Sequence, residues 1–214
     1  MKTRKLAFIC LAALLGGCSP IISLHPLLTE ENLAFDENLL GTWVEPNEPE
    51  TTWEFARLDE TNAGRLAETY RDAFPKLYHL ALTTKSEDQA VKGTFVAALG
   101  KLGDHLVLDL FPDQFPSGDQ DPTKIPLAYN SLFFVRVHMF YKVDFSDDQL
   151  TLWSTDDKAL KELLVAEPNA VRYEVVEKQT ILTASTKELQ EFVTKFANDE
   201  RLFAHDLPLI RKSD

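Results

Sequence analysis

Leu132-Phe133-Phe134-Val135-Arg136-Val137-His138-Met139-Phe140-Tyr141-Lys142-Val143-Asp144-Phe145 is the stretch from which the fold class follows. Phe133, Val135, Val137, Met139, Tyr141, Val143 and Phe145 fall on one face of an extended chain, and Arg136, His138, Lys142 and Asp144 fall on the other. A helix would scatter these positions around its circumference, because its side chains repeat every 3.6 residues rather than every two. The run therefore reads as one long half-buried strand, or as one arm of an antiparallel hairpin. Asp147-Asp148 supplies turn chemistry, and Leu150 to Trp153 returns as the partner.

The same period extends to both sides of this run. Thr51 to Leu58 sets Trp53 and Phe55 against Glu54, and Leu77 to Thr84 aligns Tyr78, Leu80 and Leu82. Val91 to Leu99 places Val91, Phe95 and Leu99 together with Gly93 and Ala97 between them, and His105 to Phe111 does the same with Leu106, Leu108 and Leu110. Two shorter strands, Tyr173 to Val176 and Thr180 to Thr183, flank Glu177-Lys178. Residues 111–126, rich in Pro and carrying Ser117-Gly118-Asp119, read as a long exposed loop. Two helices complete the pattern. Ser154-Thr155-Asp156-Asp157 starts one over 155–166, with Leu160, Leu163 and Leu164 as its stripe and Pro168 beyond its end. Ser185-Thr186-Lys187-Glu188 starts the other over 186–198, with Leu189, Phe192, Val193, Phe196 and Ala197 at helical spacing.

Leu39-Leu40-Gly41-Thr42-Trp43 opens the strand region. A G-x-W at the start of the first strand resembles the pattern of lipocalins and related calycins. The resemblance implies an antiparallel barrel with Gly41 and Trp43 at its floor and a small apolar ligand held inside, lined by Trp53, Phe55, Phe95, Phe133, Val135 and Met139. Those residues would equally fill a solid core, as in many small barrels. No Thr-Asp-Tyr turn follows later in the chain; Thr155-Asp156-Asp157 opens a helix instead. The fold class is mainly β with accessory helices, arranged either as a lipocalin-like antiparallel barrel or as an open, strongly curved α+β sheet.

The N-terminus carries an address. Met1-Lys2-Thr3-Arg4-Lys5 is a basic n-region and Leu6 to Leu15 an apolar h-region, too short to span a bilayer, which needs roughly 20 apolar helical residues. Leu15-Gly16-Gly17-Cys18 resembles the lipobox of bacterial lipoproteins. The resemblance implies cleavage between Gly17 and Cys18 and a thioether-linked lipid on Cys18, with no other cofactor. Residues 1–17 are then a lipoprotein signal peptide, 18–38 a lipidated N-terminus and tether, and 39–214 one β-rich domain. Ser19, rather than aspartate, after the cysteine points to the outer membrane of a Gram-negative envelope. The chain is also similar to lipoproteins of uncharacterised function in which a short tether leads into an L-L-G-x-W strand.

The charge agrees with attachment through lipid. The chain has 34 acidic and 22 basic residues, net -12; loss of Lys2, Arg4 and Lys5 leaves 19 basic residues and a mature charge of -15. Such a surface has no general affinity for nucleic acid or anionic lipid, since both need clustered Lys and Arg. Acyl chains, at about 0.8 kcal/mol per buried CH₂, must hold it to the membrane.

Catalytic patterns are missing. His25, His79, His105, His138 and His205 follow no metal-ligand spacing, although strands could gather His79, His105 and His138. Asp104-His105 and Asp109 raise acid–base chemistry, but Asp104 follows Gly103 and suits a turn. G-x-S-x-G is absent, and Cys18 is the only cysteine outside the signal segment. The expectation is a non-catalytic lipid-anchored protein that binds an apolar small molecule, or one that acts in the envelope through protein contacts.

Overall fold

Alternation of apolar and polar side chains forces a sheet to cover one face, and a sheet of enough strands does so by closing on itself. In a computed structural model this chain does so; residues 21–59, 73–86, 89–112, 135–146 and 148–212 are described. Among them run strands β1 (Ile22–Ser23), β2 (Gly41–Glu45), β3 (Glu48–Arg57), β4 (Leu77–Ser86), β5 (Gln89–Leu102), β6 (His105–Pro112), β7 (Met139–Ser146) and β8 (Gln149–Ser154). Helix α1 (Asp157–Ala166), strands β9 (Tyr173–Val176) and β10 (Gln179–Leu182), helix α2 (Thr186–Phe196) and strand β11 (His205–Arg211) follow. Residues 1–17, expected as a signal segment, Cys18, Phe133 and nearly all of the expected 111–126 loop lie outside the described residues.

The sheet is a closed antiparallel barrel in the order β11-β2-β3-β4-β5-β6-β7-β8. β11 closes it by pairing with β8 along its length and with β2 through Ile210–Val44 and Arg211–Trp43. Of the two architectures left open by the sequence, the barrel is the one adopted. Its last strand has little alternation and contains Pro208, which weakens the sequence signal for a strand. The long run behaves differently from its pattern at one end. β7 starts at Met139 because the N–H and C=O of His138 are both engaged by Ser23, at 2.9 Å each, outside the barrel ladder.

Two cores share the barrel wall. Trp43, Trp53, Phe55, Tyr78, Leu80, Leu99, Leu108, Leu150 and Leu152 fill the interior. Outside, Val96, Ala98, Val107 and Phe111 of β5 and β6 pack under Leu160, Leu163 and Leu164 of α1 and Leu189, Phe192, Val193 and Phe196 of α2. Asp156, and not Ser154, caps α1 by accepting from the Ala159 amide at 2.8 Å, so the helix starts at Asp157 and not at 155. Glu188 reaches back to the Ser185 amide at 2.8 Å, so α2 starts where its sequence places it. β9 and β10 form a hairpin whose turn residues, Glu177 and Lys178, have φ of 50° and 76°, the left-handed pair that matches strand twist.

Residues 21–40 pack as a strap against the barrel wall. Ile22 and Ser23 lie parallel to Ile181 and Leu182. The chain then passes Asp109, crosses β5 at Gly100 through the Leu33 bridge, and reaches Tyr78 at Asp36. A Cβ on Gly100 would sit 2.5 Å from the Leu28 side chain, so this crossing depends on glycine.

The strap ends in a single 3-10 turn, Glu37–Leu39, which closes the barrel floor. Leu39 is wholly buried and its carbonyl accepts from Trp43 Nε1 at 3.0 Å. Arg211, from the last strand, lies 4.2 Å over the Trp43 ring and donates to the carbonyls of Leu40 (2.8 Å) and Asn38 (2.6 Å). Gly41 turns the chain beneath it with φ of +118°, and a Cβ there would stand 2.9 Å from Arg211 Nη1. Alanine at Gly41 strains the backbone and pushes Arg211 from Trp43. Gly41→Ala is expected to lower stability by about 1–3 kcal/mol, seen as a lower urea midpoint with an unchanged m-value.

Candidate functional site

The end of the barrel opposite the floor is built from the β2–β3 turn, the end of β6 and the starts of β7 and β11. The interior is filled in the middle, and half-buried apolar side chains stand at both ends. At the floor and middle, Trp43, Leu80, Leu99, Leu108, Leu150 and Leu152 have no accessible surface. A side chain at zero touches no void that would admit water, so this part is solid. At the floor end Phe35, Leu40, Leu106 and Phe145 are half-buried, and toward the other end Phe95, Met139 and Leu207 are, beside the buried Trp53, Leu82 and Leu110. This end is the barrel's mouth.

Trp53, Leu82 and Gly93 sit side by side across β3, β4 and β5 on the interior face. The space a Cβ at Gly93 would enter meets only the Phe95 ring, at 3.3 and 3.5 Å. Trp53 is 1% exposed, yet among the described residues its indole Nε1–H meets no acceptor. Leaving a buried donor unpaired costs about 1–3 kcal/mol, so an arriving acceptor would recover that penalty. Burial alone drives the Tyr141 hydroxyl far above its ordinary pKa, so it stays protonated and able to donate. At the end of β2, burial and the neighbouring Glu48 raise the Glu45 carboxyl, whose Oε1 is also buried without a partner.

The residues singled out from sequence separate into groups. Trp53 and Phe55 are fully buried in the barrel, Phe95 and Met139 stand at the mouth, and Gly41 and Trp43 form the floor. Val135 precedes β7, away from the barrel ladder, and is 67% exposed. Phe133, Gly17 and Cys18 lie outside the described residues. His79 and His105 lie on β4 and β6, and Asp104 occupies the turn between β5 and β6. Among the described residues no group of three or more His, Cys, Asp or Glu is placed to hold a metal ion.

Searches of family models, curated proteins and solved structures return no match to this chain.

A second polar feature lies on the outer wall. Asp109, 1% exposed, receives the Leu27 amide on Oδ2 at 2.8 Å and meets His138 Nδ1 with Oδ1, also at 2.8 Å. Phe111 packs on the imidazole, and a cleft of about 190 Å³ lined by Leu28, Leu33, Leu77, Ala98 and Phe111 adjoins the carboxylate. Both carboxylate oxygens are committed, so the pair is suited to fastening the strap. Sequence reasoning did not couple these two residues. A signal was present: Leu106, Val107, Leu108, Leu110 and Phe111 are apolar at both parities, so β6 is covered on both faces and Asp109 must be buried.

Burial raises the pKa of Asp109, and the His138 and backbone hydrogen bonds oppose that rise only in part. An acid whose folded value lies above its unfolded one destabilises the fold once ionised. That penalty is absent below the ordinary value of 3.8 and grows as pH rises through the folded value. Asp109→Asn keeps an acceptor for Leu27 and a donor for a neutral imidazole, and removes this pH dependence. Asp109→Ala strands His138 and the Leu27 amide, and is expected to cost about 3–5 kcal/mol. Hydrogen exchange at Ser23 and Leu27 should accelerate strongly in the alanine variant and little in the asparagine variant.

Proposed function

We propose that this chain is a lipid-anchored lipoprotein of the bacterial envelope, non-catalytic, whose lipocalin-like barrel holds one small apolar molecule at its mouth. The observation that carries this reading is the Trp53 N–H, unpaired among the described residues, beside the half-buried apolar side chains Phe95, Met139 and Leu207. Indole donates and cannot accept, so the ligand presents one acceptor, a carbonyl or ester oxygen, behind an apolar body. The filled middle of the barrel keeps the ligand toward one end, and Phe95, Met139 and Leu207, at the same end as Trp53, are its contacts. Gly41-Thr42-Trp43 and the closed barrel support the lipocalin-like part of the reading. Leu15-Gly16-Gly17-Cys18 supports the lipid anchor and an outer-membrane location.

The test is native mass spectrometry of the soluble Ser19–Asp214 form purified from cells. A retained small molecule is expected, and Gly93→Leu, which fills the space beside Phe95, should release it while circular dichroism stays unchanged. An empty wild-type protein that also fails to bind a panel of fluorescent lipids would exclude the reading.

One feature favours a second reading, an assembly role through protein contacts. β9 is the edge of the three-stranded sheet β1-β10-β9, and Tyr173, Val175 and Val176 are exposed on it. A photo-crosslinker at Val175 in intact cells should then capture one specific envelope protein, and capture of none removes this alternative.

A further inference from the structure

The path of the strap fixes which end of the barrel an anchor at Cys18 would hold. Ser23 bridges His138, directly before the start of β7, and the start of β7 pairs with Leu110 near the end of β6. That is the mouth end, shared with Ser154 and His205, where β8 ends and β11 begins. From there the strap descends: Leu27 meets Asp109, Ala34 donates to the Leu99 carbonyl, and Asp36 meets Tyr78 near the floor. The chain therefore enters the fold beside the mouth and leaves for the floor.

The entry point has no slack. Ile21 is buried and Ser23 wholly so, and the Leu24 amide donates to the Leu182 carbonyl at 3.0 Å. Helix α2 grips the next residues, with the Thr186 hydroxyl donating to the Pro26 carbonyl at 2.8 Å and Gln190 Nε2 donating to Leu27 at 3.0 Å. Only Ser19 and Pro20 separate Cys18 from Ile21. Three residue steps span at most about 10–11 Å. The barrel is longer: the 8 residues of β6 extend over about 27 Å, which at the usual barrel tilt is roughly 20 Å along the axis. An anchor at Cys18 cannot reach the floor.

We infer that the mouth end of the barrel faces the lipid bilayer, with the floor turned away from it. The inference rests on the lipid-anchor reading above, and it adds a route. The apolar mouth lies within reach of the membrane that carries the anchor, so the ligand enters from the bilayer and its class is membrane-derived: an acyl-bearing amphiphile whose ester or carbonyl oxygen meets Trp53. The mature charge of -15 is consistent with an approach held by acyl chains and not by surface attraction.

The experiment separates orientation from lipidation. Mass spectrometry of Cys18 in protein extracted from membranes tests lipidation directly. For orientation, the mature chain beginning at Cys18 is condensed through its N-terminal aminothiol with a cyanobenzothiazole-headed phospholipid. It is then placed on phosphatidylcholine vesicles doped with nitroxide-headgroup lipid. Single cysteines carrying a fluorophore are introduced at Val135 and Asn47, exposed at the mouth end, and at Asp104 and Asp148, exposed at the floor. Quenching severalfold stronger at Val135 and Asn47 than at Asp104 and Asp148 is expected. Equal quenching at both ends, or stronger quenching at Asp104 and Asp148, would overturn the inference. An unlipidated Cys18 in cells would instead overturn the reading on which it rests.

Discussion

Arg211 lying across Trp43 is the contact on which the rest of the barrel depends. A sheet closes only if its first and last strands meet in register, and here they pair through Ile210–Val44 and Arg211–Trp43, with the Lys212 amide donating to the Thr42 carbonyl at 2.8 Å beyond them. The guanidinium compensates for that short seam. It stacks on the indole and donates to the carbonyls of Asn38 and Leu40, which the 3-10 turn leaves facing it. One side chain thus ties the last strand, the first strand and the floor together. Gly41 is required because any side chain would occupy the space the guanidinium uses.

With the floor fixed, the remaining asymmetry of the molecule follows. The middle of the interior is filled, with Trp43, Leu80, Leu99, Leu108, Leu150 and Leu152 at zero exposure, so another molecule would be held toward an end. The outer wall of β5 and β6 is as apolar as the inner one, and this draws the strap, α1 and α2 onto it. Asp109 is buried by that covering and is tolerated because Leu27, Leu28 and His138 meet its oxygens. The same strap that hides the wall begins at the mouth, which gives the reading of a membrane-facing opening its geometric basis.

The strands with period-two apolar faces were legible in the sequence. Trp53 and Phe55, Tyr78 with Leu80 and Leu82, and Leu106 with Leu108 and Leu110 all point into the interior. α2 begins at the capping box its sequence offers, whereas α1 is capped by Asp156 and not by Ser154 and starts two residues later than a cap at Ser154 implied. Closure was not legible, because β11 carries Pro208 and its pairing with β2 is a contact between distant parts of the chain. Nor was the strap, since Ile22–Ser23 is too short to show any period and is held by α2, β10 and His138. Val135 shares the parity of Met139 and yet is exposed, because Ser23 takes His138 out of the ladder and the alternation no longer refers to the barrel wall. The interior placement of Trp53 and Phe95 was legible, while the close approach of Phe95 to Gly93 and the unpaired indole depend on the packing around them.

A double-mutant cycle between Trp43 and Arg211 tests the seam most directly. Trp43→Leu, Arg211→Met and the double variant are unfolded in urea and compared with the wild type. The ring–guanidinium contact predicts a coupling of about 1–2 kcal/mol, the range for a partly desolvated cation over tryptophan. A coupling indistinguishable from zero, with the two single losses simply adding, would contradict closure of the barrel through this contact.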